Sequence, residues 1–170
     1  KVTKWVGLDD LQNKLKKVML RRTKDDNLDL PDKLFTSRLV PMNQDQWDQY
    51  VSLQKSGQYL DVDGNEIDVT NALTEMLRLQ QVASGHLAGN PVTERPPKVR
   101  AAMEVVEQAS GKVIVWCKEH HEIRLMAQAC TEAGVTFAEF HGKVNDRERE
   151  EIKIAFQEKD DPRVFIGQIN

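Results

Sequence analysis

Gly111-Lys112-Val113-Ile114-Val115-Trp116-Cys117, Phe137-Ala138-Glu139-Phe140-His141-Gly142 and Val164-Phe165-Ile166-Gly167-Gln168-Ile169-Asn170 are three short runs of β type, separated by two stretches of helical pattern. Strand, helix, strand, helix, strand is the rhythm of an α/β fold. Crossover helices between apolar strands imply a parallel sheet covered on both faces. The last run also ends the sequence. It is a strand that should lie inside such a sheet, and with no further strands after it the edge at Val164 to Ile169 is expected to lack its usual cover and be open to self-association. A chain that stops on such a strand is expected to be a piece of a larger machine.

Working outward, Lys98 to Ala109 reads as the helix that leads into the sheet, and Arg95-Pro96-Pro97 as a short linker before it. Residues 1–97 read as mainly helical. Leu8, Leu11, Leu15 and Val18 recur at helical spacing. Leu34 to Val40 alternates weakly, as a half-buried strand would. Asn43 to Gln54 reads as a helix with Trp47, Tyr50 and Val51 on one face. A hairpin is expected near 59–67, turning at Asp63-Gly64. Val69 to Ser84 is a further helix whose stripe is Leu73, Met76, Leu77 and Leu79, closed by Gly85. Gly89 to Pro97 is expected to be loop. Two domains follow: 1–97, a helical segment with its hairpin, and 98–170, an incomplete α/β domain.

The 170 residues are 39% hydrophobic and 30% charged, with a formal net charge of −3, which fits a soluble globular protein. No apolar run approaches the roughly 20 residues needed to span a bilayer, and no secretory leader pattern opens the sequence. A membrane partner is not expected, and a cytoplasmic location is. Cys117 and Cys130 make no disulfide framework. The acidic balance weighs against tight autonomous nucleic-acid binding. Basic residues nevertheless cluster at Lys14, Lys16, Lys17, Arg21, Arg22 and Lys24. They read either as a solvated helix end that suits the macrodipole or as a patch facing phosphate or another domain.

In an open parallel sheet, ligands bind beyond the carboxyl ends of the strands. That rule places Cys117, Lys118 and His120 on one rim with His141, Gly142 and Lys143, and with Gly167 to Asn170. Ordinary polar βα loops would look the same. Gly142 allows a positive φ or close approach of a ligand. The helix that starts near Asn145 offers amides to phosphate, or is simply capped by Asn145 with Glu148. Zinc is not expected, because Cys117 and His120 have no second paired motif. The loop from Asp61 fails as a calcium site, since Ala72 stands where a bidentate Glu is needed. No phosphate-loop motif and no nucleophilic triad occur, so neither a catalytic nor a metal-ligating residue is assigned.

These stretches resemble a known family. Leu20-Arg21-Arg22-Thr23-Lys24, Leu30-Pro31-Asp32-Lys33, Gln46 and Tyr50 resemble the signature that opens the second motor lobe of Swi/Snf-type ATPases, which are superfamily-two helicase-like motors. Leu73 to Gly85 resembles the helix that follows in phage and bacterial members. Lys112 to Cys117 resembles helicase motif IV. His141-Gly142, with Arg147 and Ile154-Ala155-Phe156-Gln157, resembles the next block, and Val164-Phe165-Ile166-Gly167 the start of motif V.

The resemblance implies a partial RecA-like domain, with a three-layer arrangement of parallel sheet and flanking helices, cut within motif V. It implies a parent that is a DNA-dependent ATPase and translocase, with ATP and Mg held between two lobes. The sequence carries no first lobe with its phosphate loop and no arginine finger, so this piece alone is not expected to hydrolyse ATP. The implied partners are double-stranded DNA, gripped by its backbone with little sequence preference, and the first RecA-like lobe. Lys118, His141, Gly142 and Lys143 are the implied DNA-backbone contacts. Arg21, Arg22 and Lys24 are the implied contacts to the first lobe. Two rival readings remain: a non-catalytic module that holds a protein partner on a partial motor fold, and a generic nucleotide-binding α/β enzyme. The Leu-Arg-Arg-Thr-Lys stretch weighs against the second.

Overall fold

A computed structural model describes residues 6–20, 33–56, 58–60, 66–68 and 71–169. The chain divides into two compact units, Lys1–Arg38 and Leu39–Asn170. In the first, helix α1 (Leu8–Leu15) follows Gly7 and carries the expected leucines. Asp10 and Lys14 pair across one turn at 2.7 Å.

The second unit opens with residues 39–43 outside any helix or strand. Leu34 to Val40, which spans the division, forms no strand. Weak alternation does not hold a strand without a ladder partner. Helix α2 (Gln44–Ser56) starts at a reciprocal cap: the Gln46 amide donates to Asn43 Oδ1 at 3.0 Å, and the Asn43 amide to Gln46 Oε1 at 3.3 Å. Gln46 is buried and donates to the Val82 carbonyl at 3.0 Å. That bond ties α2 to helix α3 (Ala72–Ala83). Strands β1 (Gln58–Leu60) and β2 (Glu66–Asp68) pair antiparallel, as the expected hairpin requires. Its turn at Asp63-Gly64 lies outside the described residues.

Helix α3 departs from the expected stripe. Leu73, Met76 and Leu77 are exposed, and the buried residues are Gln81 and Val82 in the last turn. Packing at that turn fixes the orientation, not the apolar count. Gly85 closes α3 at φ +93, and Pro96 lies where a Cβ would stand. The next residues form a minimal hairpin of β3 (His86–Leu87) and β4 (Asn90–Pro91), the second strand falling in the stretch Gly89 to Pro97 expected as loop. Ala88 and Gly89 both have positive φ, as a tight two-residue hairpin turn demands.

Helix α4 (Pro97–Gln108) begins with proline, whose missing N–H costs nothing in a first turn. Strand β5 (Val113–Cys117), helix α5 (His120–Glu132), strand β6 (Phe137–Phe140), helix α6 (Asp146–Glu158) and strand β7 (Val164–Gln168) complete the α/β part. The sheet is parallel, in the order β5-β7-β6. Val113, Val115, Cys117, Val164 and Ile166 face α4 and α5, where Met103, Val106, Ile123, Met126, Ala127 and Cys130 complete the core. On the other face Phe165 meets Phe140, Phe156 and Trp116. The fold is thus the expected three-layer one.

One expectation is overturned. The strand Val164 to Gln168 is not an edge: it is the central strand, paired on both sides, with Val164 to Gly167 buried. The crossover from β5 to β6 leaves one strand position open, and the crossover from β6 returns to it, so the third strand slots between the first two. The outer strands of this sheet are β5 and β6.

Candidate nucleic-acid interface

The carboxyl ends of β5 and β6 meet over the end of β7. The rings of His120 and His141 stand edge to face, 4.9 Å between centroids, and join the two βα turns into one rim. Lys118 and Lys143 are exposed on it. Arg21, Arg22 and Lys24 lie outside the described residues.

His141 is positioned differently from a phosphate ligand. Its Nδ1 accepts from the Lys143 amide at 3.3 Å, so the proton sits on Nε2, which faces the Glu139 carboxylate at 3.3 Å. Both ring nitrogens are used within the loop. His141 therefore shapes the turn that presents Gly142 and Lys143. Gly142 is exposed, its φ is not in the left-handed region, and a Cβ there would meet nothing within 4 Å. Of the two roles open to this glycine, a positive φ is excluded and close approach from outside is left. His120 has its pKa held below the usual value by desolvation, then by the neighbouring charges of Lys143 and His141. The exposed Lys118 and Lys143 ammonium groups supply positive charge to the rim.

The helices behind the rim are capped by their own side chains. Asn145 Oδ1 accepts from the Glu148 amide at 2.9 Å, and Asp146 and Glu148 put negative charge into the first turn of α6. The cap takes the Glu148 amide. Helix α5 carries a full capping box between Glu119 and Glu122. Glu122 Oε2 also accepts from the Lys118 amide at 2.7 Å. Burial raises the Glu122 pKa, but the Ser84 hydroxyl and the Glu119 and Lys118 amides outweigh it and hold the group below its usual value.

Behind the capping box lies a buried polar cluster that sequence reasoning missed. His86 Nε2 lies 2.8 Å from Glu119 Oε2, and Gln81 Nε2 donates to both Glu119 oxygens at 3.2 Å. The carboxylate only accepts, so Nε2 of His86 carries a proton. His121 stacks on His86 with centroids 4.5 Å apart. The Arg124 guanidinium reaches His121 Nδ1 at 2.7 Å, which places the His121 proton on Nε2. Buried His86 Nδ1 and His121 Nε2 have no hydrogen-bond partner. Burial, then the His86 and Arg124 charges, push the His121 pKa down to about 4. The signal available in the sequence was the Glu119-x-x-Glu122 spacing, which is that of a capping box.

The thiols are inert by environment. Burial, then Glu122, pushes Cys117 up to about 12, and burial raises Cys130. Among the described residues no group of three or more His, Cys, Asp or Glu could hold a metal ion. Among the same residues no helix is long and apolar enough to cross a membrane.

No protein-family model and no curated protein sequence matches the chain. Solved structures do. The chain is similar to a Sulfolobus solfataricus SWI2/SNF2 ATPase C-terminal domain at 17% identity and TM-score 0.62, over 77% of this chain and 61% of that one. It is similar to a Sulfolobus solfataricus SWI2/SNF2 ATPase core, solved in complex with dsDNA, at 21% identity and TM-score 0.65. That likeness covers 98% of this chain and 38% of the core. The chain thus spans less than two thirds of either protein. The fold of this chain is that of the SWI2/SNF2 ATPase C-terminal domain.

Proposed function

We propose that this chain is the second lobe of a Swi/Snf-type, DNA-dependent ATPase of phage or bacterial type, and that its rim grips the backbone of double-stranded DNA. The observation that carries this is the rim itself. Exposed Lys118 and Lys143 stand just past the carboxyl ends of the two outer strands of the parallel sheet, on either side of β7, on a fold that aligns over 98% of its length with an ATPase core bound to dsDNA. Lysine is a strongly hydrated point charge, suited to phosphate rather than to reading a base edge. Gly142 leaves open room beside Lys143 for a sugar-phosphate strand.

The residues of this chain do not fit an ATP site of their own: the sequence has no phosphate loop. ATP and Mg would sit mainly against a first lobe, so this chain alone is expected to lack ATP hydrolysis. Its part is to bind and orient DNA while the cleft opens and closes. Binding by the isolated chain is expected to be weak, because the net charge is −3. The test is fluorescence anisotropy with several unrelated duplexes at about 50 mM salt. Similar weak affinities for all of them are expected. Binding to none, or to one sequence alone, overturns the reading and favours a protein-partner module.

A further inference from the structure

Two consecutive glutamines on α3 hold two consecutive residues at the end of β5. Gln80 Oε1 accepts from the Lys118 ammonium, and Gln81 Nε2 donates to the Glu119 carboxylate. His86, on β3 just after α3, takes the remaining face of that carboxylate. Gln81 and His86 are buried, at 8% and 1% exposure. Gln81 is itself fixed: its Oε1 accepts from Arg78 at 2.9 Å and from the Ala88 amide at 3.3 Å. The Lys118 backbone is held from two further sides, its amide by Glu122 and its carbonyl by Gln168 Nε2 at 3.4 Å.

We propose that Gln81 and His86 are positioning residues for the DNA-backbone contact, acting through Glu119 to fix where the Lys118 ammonium stands on the rim. This rests on the reading of Lys118 as a phosphate contact. A lysine stem has several rotatable bonds, and its ammonium is useful at a phosphate only if the backbone beneath it is fixed. The grip comes from a segment remote in sequence. Movement of α3 and β3 therefore displaces the contact without any change in the sheet. The clamp gives the helical segment a means of setting DNA affinity.

The test uses the full chain and a random-sequence duplex, with His86→Leu, His86→Gln and Gln81→Ala, each alone and combined with Lys118→Ala. His86→Leu and Gln81→Ala are expected to weaken binding about fivefold and to lower the salt slope by about one contact. In the Lys118→Ala background they are expected to add nothing. His86→Gln keeps an amide donor near the Nε2 position and is expected to restore binding. Equal losses with and without Lys118 overturn the proposal, as does an unchanged salt slope. Hydrogen exchange at the Lys118 and Glu119 amides separates this from the underlying reading. Faster exchange in His86→Leu, with DNA binding untouched even by Lys118→Ala, means the clamp exists but the rim is not the DNA contact. Unchanged exchange removes the clamp itself.

Discussion

His86 Nε2 lies 2.8 Å from Glu119 Oε2, so one hydrogen bond joins the hairpin after α3 to the residue that caps α5. Glu119 thus serves two ends at once. It satisfies an otherwise orphaned amide in the first turn of α5 and receives a buried imidazole N–H. Removing it leaves both without a partner. Glu119→Ala is expected to cost about 2–4 kcal/mol, a lost cap plus an unsatisfied buried donor. Urea unfolding checks this. A loss under about 1 kcal/mol would mean that water replaces the carboxylate freely.

Acid should loosen the same cluster, and the sign is fixed by direction. Folded His121 has its pKa pushed down to about 4, below the usual imidazole value of about 6.5. It is neutral when folded, so its contribution is complete above about pH 6.5 and is lost as pH falls towards 4. Glu122, held below its usual value, acts in the same direction at lower pH. The acid-side loss from His121 is on the order of 3 kcal/mol at most. Unfolding free energies between pH 7.5 and 4.5 should show the decline, and His121→Asn should flatten it. An identical decline in that variant would assign the titration elsewhere.

How legible was this in the sequence? The strands β5, β6 and β7 and the helices between them were readable to within a residue or two, because short apolar runs alternating with stretches of helical pattern leave little ambiguity. The order of the strands was not. Val164 to Gln168 was expected inside a larger sheet with one edge uncovered, but β5 and β6 already flank it, and sequence order carries no record of which strands those are. The face of α3 was also misread. Leucines at helical spacing predicted the stripe, but Gln81 is buried because Glu119 and Arg78 supply its partners. At the rim, residue types marked two strand ends that the structure brings together through His120 and His141. The tautomer that turns His141 inward towards Glu139 depends on partners visible only in three dimensions.

Gly167 leaves no space above it. A Cβ there would stand 2.4 Å from Trp116 Cζ3 and 3.2 Å from Phe165 Cε1. Trp116 is 55% exposed and can swing outward, whereas Phe165 is buried. Gly167→Ala is expected to destabilise by about 1–3 kcal/mol and to shift tryptophan emission to the red as Trp116 is displaced. Trp116→Leu in the same chain should recover most of the loss. Full stability in Gly167→Ala alone would contradict the contact.

Gly85 is constrained twice, by φ +93 and by Pro96 Cγ at 2.4 Å from any Cβ. Gly85→Ala combines left-handed strain of about 1 kcal/mol with overpacking of similar size or more. Because His86 follows directly, the loss should be accompanied by faster exchange of the Glu119 amide. Normal exchange at Glu119 would separate the turn from the clamp.

The most direct test of the central claim is the salt dependence of duplex binding by the chain and by its Lys118→Ala, Lys143→Ala double variant. If both lysines touch phosphate, the slope of log affinity against log salt should fall by about two, since each contact contributes about 0.9. Weaker binding should accompany that fall for every duplex sequence. The same slope and the same affinity in the double variant would contradict the account, because the rim would then carry no part of the grip on DNA.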